Sequence, residues 1–201
     1  MLLARIKIVS MKVIKTKQDL DFFLQEDAKA NFMFDVSFPM YCLKLLVGSE
    51  SAHVWRYLKC LRHCEYHYNN KGIIHKLLCT YYQFKLHRLG FDYNIRIPIN
   101  VCGYGVTLYH LAGGGCLVNA KSVGNYCRLQ TGVLLGNSHQ SEDEKPVIGD
   151  HVSFGPGAKV LGKVIVGDNT FICANAVVTK DVPSNTMVGG VPAKIIKTIE
   201  S

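Results

Sequence analysis

The hydrophobic pattern changes its character about halfway along the chain. Residues 51–69 place apolar side chains three and four positions apart, which forms one stripe on an α-helix. Residues 17–30 contain neither Gly nor Pro, and residues 73–89 continue the helical spacing and stop at Gly90. Beyond this point Gly becomes frequent and Val and Ile increase. The pattern predicts an N-terminal helical region at 1–94 and a different domain at 95–201.

The second half repeats with a period of six residues. The apolar positions of this repeat are Leu111, Leu117, Val123, Leu129, Leu135 and, after one interruption, Ile148, Phe154, Val160, Val166, Ile172 and Val178. A period of six fits short strands joined by tight corners, with three hexads to one coil of a triangular prism. A β-sandwich, the alternative, would alternate with a period of two. We therefore expect a mainly β fold, a parallel β-helix with these side chains stacked along its axis.

Composition and charge restrict the function class only loosely. The chain is 48% apolar and 19% charged, and no apolar run reaches the roughly 18 residues of a membrane span. We see no signal peptide, and eight scattered cysteines without a CxxC pair favour free thiols in a reducing compartment, so we expect a cytoplasmic protein. The first ten residues read as a poorly ordered extension.

The net charge of +8 is concentrated in the first half of the chain. Residues 1–92 hold 14 Lys and Arg against 8 Asp and Glu, whereas the remainder holds 9 against 7. Such a charge could meet nucleic acid, anionic lipid or an anionic small molecule such as CoA. Because no nucleic-acid-binding signature is present, we expect a small-molecule partner, no nucleic acid and no stable membrane insertion.

Three segments carry a resemblance to a known family. Residues 147–196, which include the motif GGVPAK, resemble the C-terminal half of hexapeptide-repeat acyltransferases. Residues 105–137 (GVTLYHLAGGGCLVNAKSVGNYCRLQTGVLLGN) resemble the serine O-acetyltransferase branch, which includes surface-polysaccharide O-acetyltransferases, and residues 55–70 resemble the helical region of the latter. The resemblance implies a left-handed parallel β-helix, acetyl-CoA as acyl donor, and a homotrimer with pairing into a hexamer as a further option.

The resemblance also implies that His110 is the general base. An alcohol becomes a good nucleophile only as its proton is removed, and imidazole titrates near working pH, which suits this task. A surface histidine without a role is the alternative. The aspartate that orients this histidine in the family falls on Ile95, and the nearest upstream acid, Asp92, has the wrong offset. We therefore expect a backbone carbonyl to hold the ring.

Two departures from the family bear on the acceptor. Serine acetyltransferases have an acid before the histidine and an Arg-His pair before a proline in the interrupting loop; this chain has Tyr109 and Glu144-Lys145 there. In the family these positions hold the ammonium and carboxylate of the amino acid. Their loss favours a sugar or polysaccharide precursor as acceptor, with serine as the alternative. Tyr109 and His139 are the candidate acceptor contacts, although the loop position of His139 favours a solvated histidine over an acceptor contact.

The candidate contacts for CoA lie in the later coils. By resemblance, those that line the pantetheine channel are Pro156, Gly157 and Ala174, and those at the nucleotide end are Thr179, Lys180 and Lys194. Lysine supplies the point charge that phosphates need, although an exposed solubilising charge is the alternative for each lysine.

The sequence supports two rival functions and one metal site less well than it supports an acyltransferase. A zinc carbonic anhydrase on the same fold needs three converging histidines, and the spacing of His110, His139 and His151 does not match. A non-catalytic trimeric scaffold would not need His110 or the GGVPAK motif. One predicted helix face carries four thiol and imidazole groups, at Cys60, His63, Cys64 and His67. Four ligands on a single helix rarely close a tetrahedron, so we expect packing there.

Overall fold

The computed structural model describes residues 12–137 and 144–199, and in these ranges four α-helices precede the β-structure. The helices are α1 Lys17–Ala30, α2 Phe38–Leu46, α3 Glu50–Tyr68 and α4 Ile73–Tyr93. A capping box of Thr16 and Asp19 starts α1 where the sequence predicts it. No helix in the described ranges is long and apolar enough to cross a membrane.

Helix α4 continues through Gly90, where the sequence pattern predicts its end. It stops instead at Asn94, which adopts the left-handed conformation with φ 55°. A Cβ at Gly90 would lie 2.7 Å from the carbonyl oxygen of Ile95, so glycine there permits the close approach of the next segment to the helix. Gly90 is thus a packing residue rather than a helix cap.

Short strands follow from residue 95 and wind into a left-handed parallel β-helix. The strands are β1 Ile95–Arg96, β2 Thr107–Tyr109, β3 Cys116–Val118, β4 Ser122–Val123, β5 Arg128–Gln130, β6 Val133–Gly136, β7 Val147–Ile148, β8 Ser153–Phe154, β9 Lys159–Leu161, β10 Ile165–Val166, β11 Phe171–Ile172, β12 Val177–Val178, β13 Thr186–Gly189 and β14 Lys194–Thr198. They form three faces, with strand orders β1-β3-β6-β9-β12, β10-β7-β4 and β14-β13-β11-β8-β5-β2. We name these faces A, B and C in that order. All pairings in them are parallel except that of β13 with β14.

The hexad ladder is confirmed from Val123 onward. Each of its apolar positions from Val123 to Val178 is buried, with at most 2% of its surface exposed. The first two predicted positions differ from the rest: Leu117 faces outward and is 38% exposed, whereas Leu111 is buried in the core but lies in a single 3₁₀ turn, Leu111–Gly113, and not in a strand. The axial positions of the first coil are instead Leu108, which pairs with Leu129, and Val118, which pairs with Leu135.

A longer corner explains this change of register. Six residues separate Tyr109 from Cys116, whereas two residues separate their partners Gln130 and Val133 in the next coil. The corner after β2 is therefore four residues longer than the corner above it. The extra residues form the 3₁₀ turn, and they begin directly after His110.

A buried ionic network ties the helices to the first coil. The Arg62 guanidinium of α3 donates to Asp27 of α1 at 2.7 Å and to Glu65 at 2.9 Å, and also to the carbonyl oxygens of Cys102 and Gly103. The three charged side chains are essentially inaccessible to solvent. Burial alone would lower the pKa of Arg62, but the two carboxylates outweigh that effect and raise it, so the guanidinium stays charged.

Candidate functional site

His110 occupies the lengthened corner of the first coil. It follows β2 directly and adopts the left-handed conformation, φ 58° and ψ 39°. Its carbonyl oxygen accepts the Gly113 N–H at 3.1 Å, which starts the 3₁₀ turn. Its side chain is 72% exposed, so the imidazole projects from the prism rather than into the core. Other corners of the coil, such as those at Tyr126 and His151, adopt the same conformation, so it belongs to the corner and does not by itself mark a functional residue.

Glu50 is the carboxylate that the fold brings to His110. Glu50 is the first residue of α3, and its Oε1 accepts the backbone N–H of Leu111 at 2.6 Å. Its Oε2 lies 4.0 Å from Nδ1 of His110. Sequence reasoning missed this residue because 60 positions separate it from His110 and no local motif links them; only the packing of α3 against the first coil does so.

The upstream positions singled out by the sequence lie elsewhere. Ile95 is buried in β1 and pairs with Cys116, so it does not face the imidazole. Asp92 is exposed in the last turn of α4. The expected backbone carbonyl is not found either: within the described ranges no hydrogen bond joins the His110 ring to a carbonyl, and Glu50 is the carboxylate within 4.0 Å.

The candidate acceptor residues lie in different parts of the chain, and one of them falls outside the described residues. Tyr109 is half-buried at the end of β2, with its ring centroid 6.2 Å from that of His110. His139 falls within 138–143, outside the described residues. Glu144 and Lys145 lie at the end of that interruption, where the chain returns to β7. Tyr109 is therefore the candidate acceptor contact that the structure places beside His110.

Four of the candidate residues lie at corners that stack along one edge of the prism. His110 follows β2 on face C, Pro156 and Gly157 lie just beyond β8, and Ala174 lies just beyond β11. Because these strands stack in parallel register, the corners that follow them stack along the edge between faces C and A. Pro156 and Ala174 are exposed along this edge, and Gly157 adopts φ 71° at its corner.

The three candidates for the nucleotide end of CoA separate into two places. Lys194 opens β14 and pairs with Gly189, where β13 runs out toward the edge that carries His110. Thr179 and Lys180 follow β12 on face A, so they lie at the next edge of the prism. All three are exposed. Within one chain, Lys194 therefore shares the edge of His110, whereas Thr179 and Lys180 do not.

A groove of about 1030 Å³ lies between α4 and face A. Its walls include Leu86 and Phe91 of the helix and the outward-facing Leu117 and Leu134 of the coil. The lining also includes Gly114 and Gly132, which belong to the same edge as His110. The face beside the candidate site is therefore apolar and open in the single chain.

The thiol and imidazole face of α3 is packed against α4. Cys60 and Cys64 are buried, and burial raises the pKa of Cys60 to about 11 and that of Cys64 to about 12. The His63 ring stacks on Tyr82 with centroids 5.2 Å apart, and Nδ1 of His67 lies 2.9 Å from Nδ1 of His75. Within 12–137 and 144–199, no three His, Cys, Asp or Glu residues are grouped to hold a metal ion.

Comparisons with known proteins agree with this architecture. Residues 145–180 match the family described as bacterial transferase hexapeptide (six repeats). The serine acetyltransferase of Buchnera aphidicola subsp. Acyrthosiphon pisum is 32% identical over 187 residues, which is 92% of this chain and 61% of that protein. That of Helicobacter pylori is 32% identical over 139 residues, which is 61% of this chain and 80% of that protein.

A solved structure extends the similarity to three dimensions. The crystal structure of Neisseria gonorrhoeae serine acetyltransferase in complex with serine matches with a TM-score of 0.63 at 30% identity, over 90% of this chain and 70% of that one. Several curated relatives are longer than this chain, which spans 38% to 61% of their length.

Proposed function

The chain belongs to the serine acetyltransferase family of hexapeptide-repeat transferases, and on that basis we propose that it transfers an acetyl group from acetyl-CoA to the hydroxyl of serine. The observation that carries the proposal is the position of His110, an exposed imidazole at a lengthened corner, on the edge that also carries four of the six candidate donor contacts. Family membership rests on the similarity to the Buchnera aphidicola and Helicobacter pylori enzymes.

In the proposed reaction, His110 carries one proton from the acceptor hydroxyl to the CoA thiolate. Its neutral ring nitrogen takes the proton of the acceptor hydroxyl as the oxygen attacks the thioester carbon, which gives a tetrahedral intermediate. When that intermediate collapses, the carbon–sulfur bond breaks and the imidazolium returns the proton to the CoA thiolate. The products are the O-acetyl ester and CoA with a free thiol, so atoms and charge balance without a metal or a redox partner.

The choice of serine reverses the expectation drawn from Tyr109 and Glu144-Lys145. The Buchnera aphidicola and Helicobacter pylori relatives are serine acetyltransferases, and the Neisseria gonorrhoeae structure contains serine. A sugar hydroxyl remains the second candidate, because Tyr109 stands beside His110 where the family has an acid. A panel of L-serine, free sugars and nucleotide sugars separates the two: we expect L-serine to give the highest kcat/KM, and a higher value for a sugar would refute the serine assignment.

The donor and the assembly are proposed with the same reaction. The edge formed by Pro156, Gly157 and Ala174 is open in a single chain and suits the extended pantetheine arm, while Lys194 offers a cation to the phosphates. We propose a homotrimer in which a neighbouring chain covers this edge and brings its own Thr179 and Lys180 toward the donor. In this arrangement Thr179 and Lys180 of one chain and Lys194 of its neighbour meet the same donor, although they lie at different edges within one chain.

Release of free thiol from acetyl-CoA tests the catalytic role. General-base catalysis is worth about 10² to 10⁴ in rate, so we expect His110→Ala to lower kcat by that order with little change in the binding of acetyl-CoA. His151→Ala is the matched control, because His151 is also an exposed histidine with positive φ at a corner, on a different edge. Full activity of His110→Ala, or an equal loss in both variants, would refute the role of His110.

A further inference from the structure

We infer that Glu50 is the residue that orients His110, in place of the acid that the preceding coil lacks at Ile95. The inference rests on the proposed function, since it presupposes that His110 is the base. It stands on geometry alone: one carboxylate oxygen is fixed on the Leu111 N–H at 2.6 Å, and the other lies 4.0 Å from Nδ1 of His110.

The bond to Leu111 holds the carboxylate in place. A hydrogen bond of 2.6 Å to a charged acceptor is short and strong, and the N-terminal position of Glu50 in α3 favours a negative charge through the helix dipole. Because Leu111 follows His110 directly, Glu50 is held against the same backbone turn that presents the imidazole. The remaining oxygen is the one that faces the ring.

The separation of 4.0 Å is longer than a hydrogen bond, so the proposed bond requires a rotation of the exposed ring toward the carboxylate. The His110 side chain is 72% exposed and that of Glu50 is 42% exposed, so neither is locked by packing. Catalytic hydrogen bonds are often long without substrate and tighten in the reacting complex. A bond from Nδ1–H to Oε2 fixes the tautomer whose Nε2 lone pair is free to take the proton, and the carboxylate then stabilises the imidazolium that forms.

Two other roles for Glu50 make different predictions. As a cap of the 3₁₀ turn, it would act only through the Leu111 N–H. As an acceptor contact, it would bind the ammonium group of serine and affect KM. A residue that orients His110 would instead affect kcat, because the base acts in the transition state. It would leave the KM for serine and for acetyl-CoA unchanged, because the base does not contribute to the binding of either substrate.

Glu50→Gln separates these roles in the full-length protein. The amide oxygen can still accept the Leu111 N–H, so the turn keeps its cap, but the amide nitrogen would then face Nδ1 as a donor and favour the wrong tautomer. We expect kcat to fall about tenfold to a hundredfold at unchanged KM for acetyl-CoA and serine. Asp92→Asn, which removes an exposed acid at the end of α4, is the matched control and should leave both constants unchanged.

A double-mutant cycle and a spectroscopic measurement complete the test. Adding Glu50→Gln to His110→Ala should change the residual rate less than about twofold, since a positioning residue has nothing left to position. Nitrogen-15 spectra of His110 should report the Nδ1–H tautomer in the native protein and the Nε2–H tautomer in Glu50→Gln.

The outcomes distinguish failure of this inference from failure of the proposed function. An unchanged kcat in Glu50→Gln while His110→Ala is inactive overturns the inference alone, as does a raised KM for serine at constant kcat. An unchanged tautomer in Glu50→Gln also overturns it, whatever the activity. Full activity of His110→Ala overturns the proposed base and, with it, the positioning role.

Discussion

Replacing Arg62 with methionine should destabilise the protein more than almost any other single substitution outside the apolar core. The guanidinium is the partner of two buried carboxylates, Asp27 and Glu65, and of two backbone carbonyls in the segment that leads to His110. Methionine fills a similar volume but offers no donor. The substitution therefore leaves two buried acids without their cation and two carbonyl oxygens without their donor.

The expected cost follows from these losses. Breaking a buried ion pair by removing one partner costs about 3–5 kcal/mol. Asp27 keeps the Gly105 N–H at 2.7 Å and Glu65 keeps the Asn100 N–H at 2.9 Å, which argues for that range rather than a larger figure. Against a total stability of about 5–15 kcal/mol, the loss is large, and at roughly 2–4 °C per kcal/mol it lowers Tm by about 6–20 °C.

The loss should also depend on pH, with a defined sign. Burial raises the pKa of Asp27 and of Glu65, and Arg62 opposes that rise. Without Arg62, the folded variant binds protons at these acids more tightly than its unfolded chain does. The variant should therefore regain stability as pH falls toward the ordinary titration range of a carboxyl group, and lose it as pH rises.

Urea unfolding at matched protein concentration measures both effects. Arg56→Met is the control, because Arg56 lies on the same helix but is exposed, and surface substitutions of this kind stay within about 0.5 kcal/mol. A loss below about 1 kcal/mol for Arg62→Met would show that the network is not essential for stability. A loss that grows as pH falls would show that the buried acids are not the source of the penalty.

Four further predictions concern the donor, the assembly and the thiols. Ala174→Leu should obstruct the exposed edge and raise KM for acetyl-CoA, while serine binding measured calorimetrically stays unchanged. Lys194→Glu should also raise KM for acetyl-CoA, and an equal rise in KM for serine would indicate general damage instead. Light scattering at micromolar concentration should give a trimer or hexamer, and a monomer would refute the proposed assembly. Exposed Cys42 should react first with a thiol reagent, whereas Cys116 and Cys127, whose pKa burial raises to about 12, should react only on unfolding.

The repeat made most of the β-helix predictable. From Val123 onward the period of six is constant except at the one interruption between Leu135 and Ile148, so outside that interruption a position in the hexad corresponds to a constant position on the prism. At the first corner that correspondence fails, because four extra residues shift the register while Leu111 and Leu117 happen to continue the period. The hydrophobic pattern does not reveal the shift there, because Leu111 and Leu117 are both apolar and six residues apart. The inserted glycines are also common at ordinary corners of the repeat.

Tertiary packing accounts for what the sequence could not show in the helical region. Gly90 resembles a helix end by local rules, yet it lies within α4 because Ile95 approaches too closely for any side chain. The role of Glu50 depends on a contact across 60 residues, and no local pattern marks such a pairing. The segment Phe38–Leu46 forms a short helix, with Pro39 in its first turn, that the hydrophobic spacing did not predict.

The corner that carries His110 is held by the helices and not by the β-helix alone. Helical side chains bind this segment at successive points: Arg62 holds the carbonyls of Cys102 and Gly103, Asp27 holds the Gly105 N–H, Asn31 holds the Val106 carbonyl, and Glu50 holds the Leu111 N–H. Strand β2 lies at the end of face C, and its neighbour in that face is β5. The lengthened corner closes on itself through the 3₁₀ turn, in which the Gly113 N–H donates to the His110 carbonyl. Glu50 adds a helical side chain that binds this corner at Leu111, so in the proposed reaction α3 helps to set where the imidazole meets its substrates.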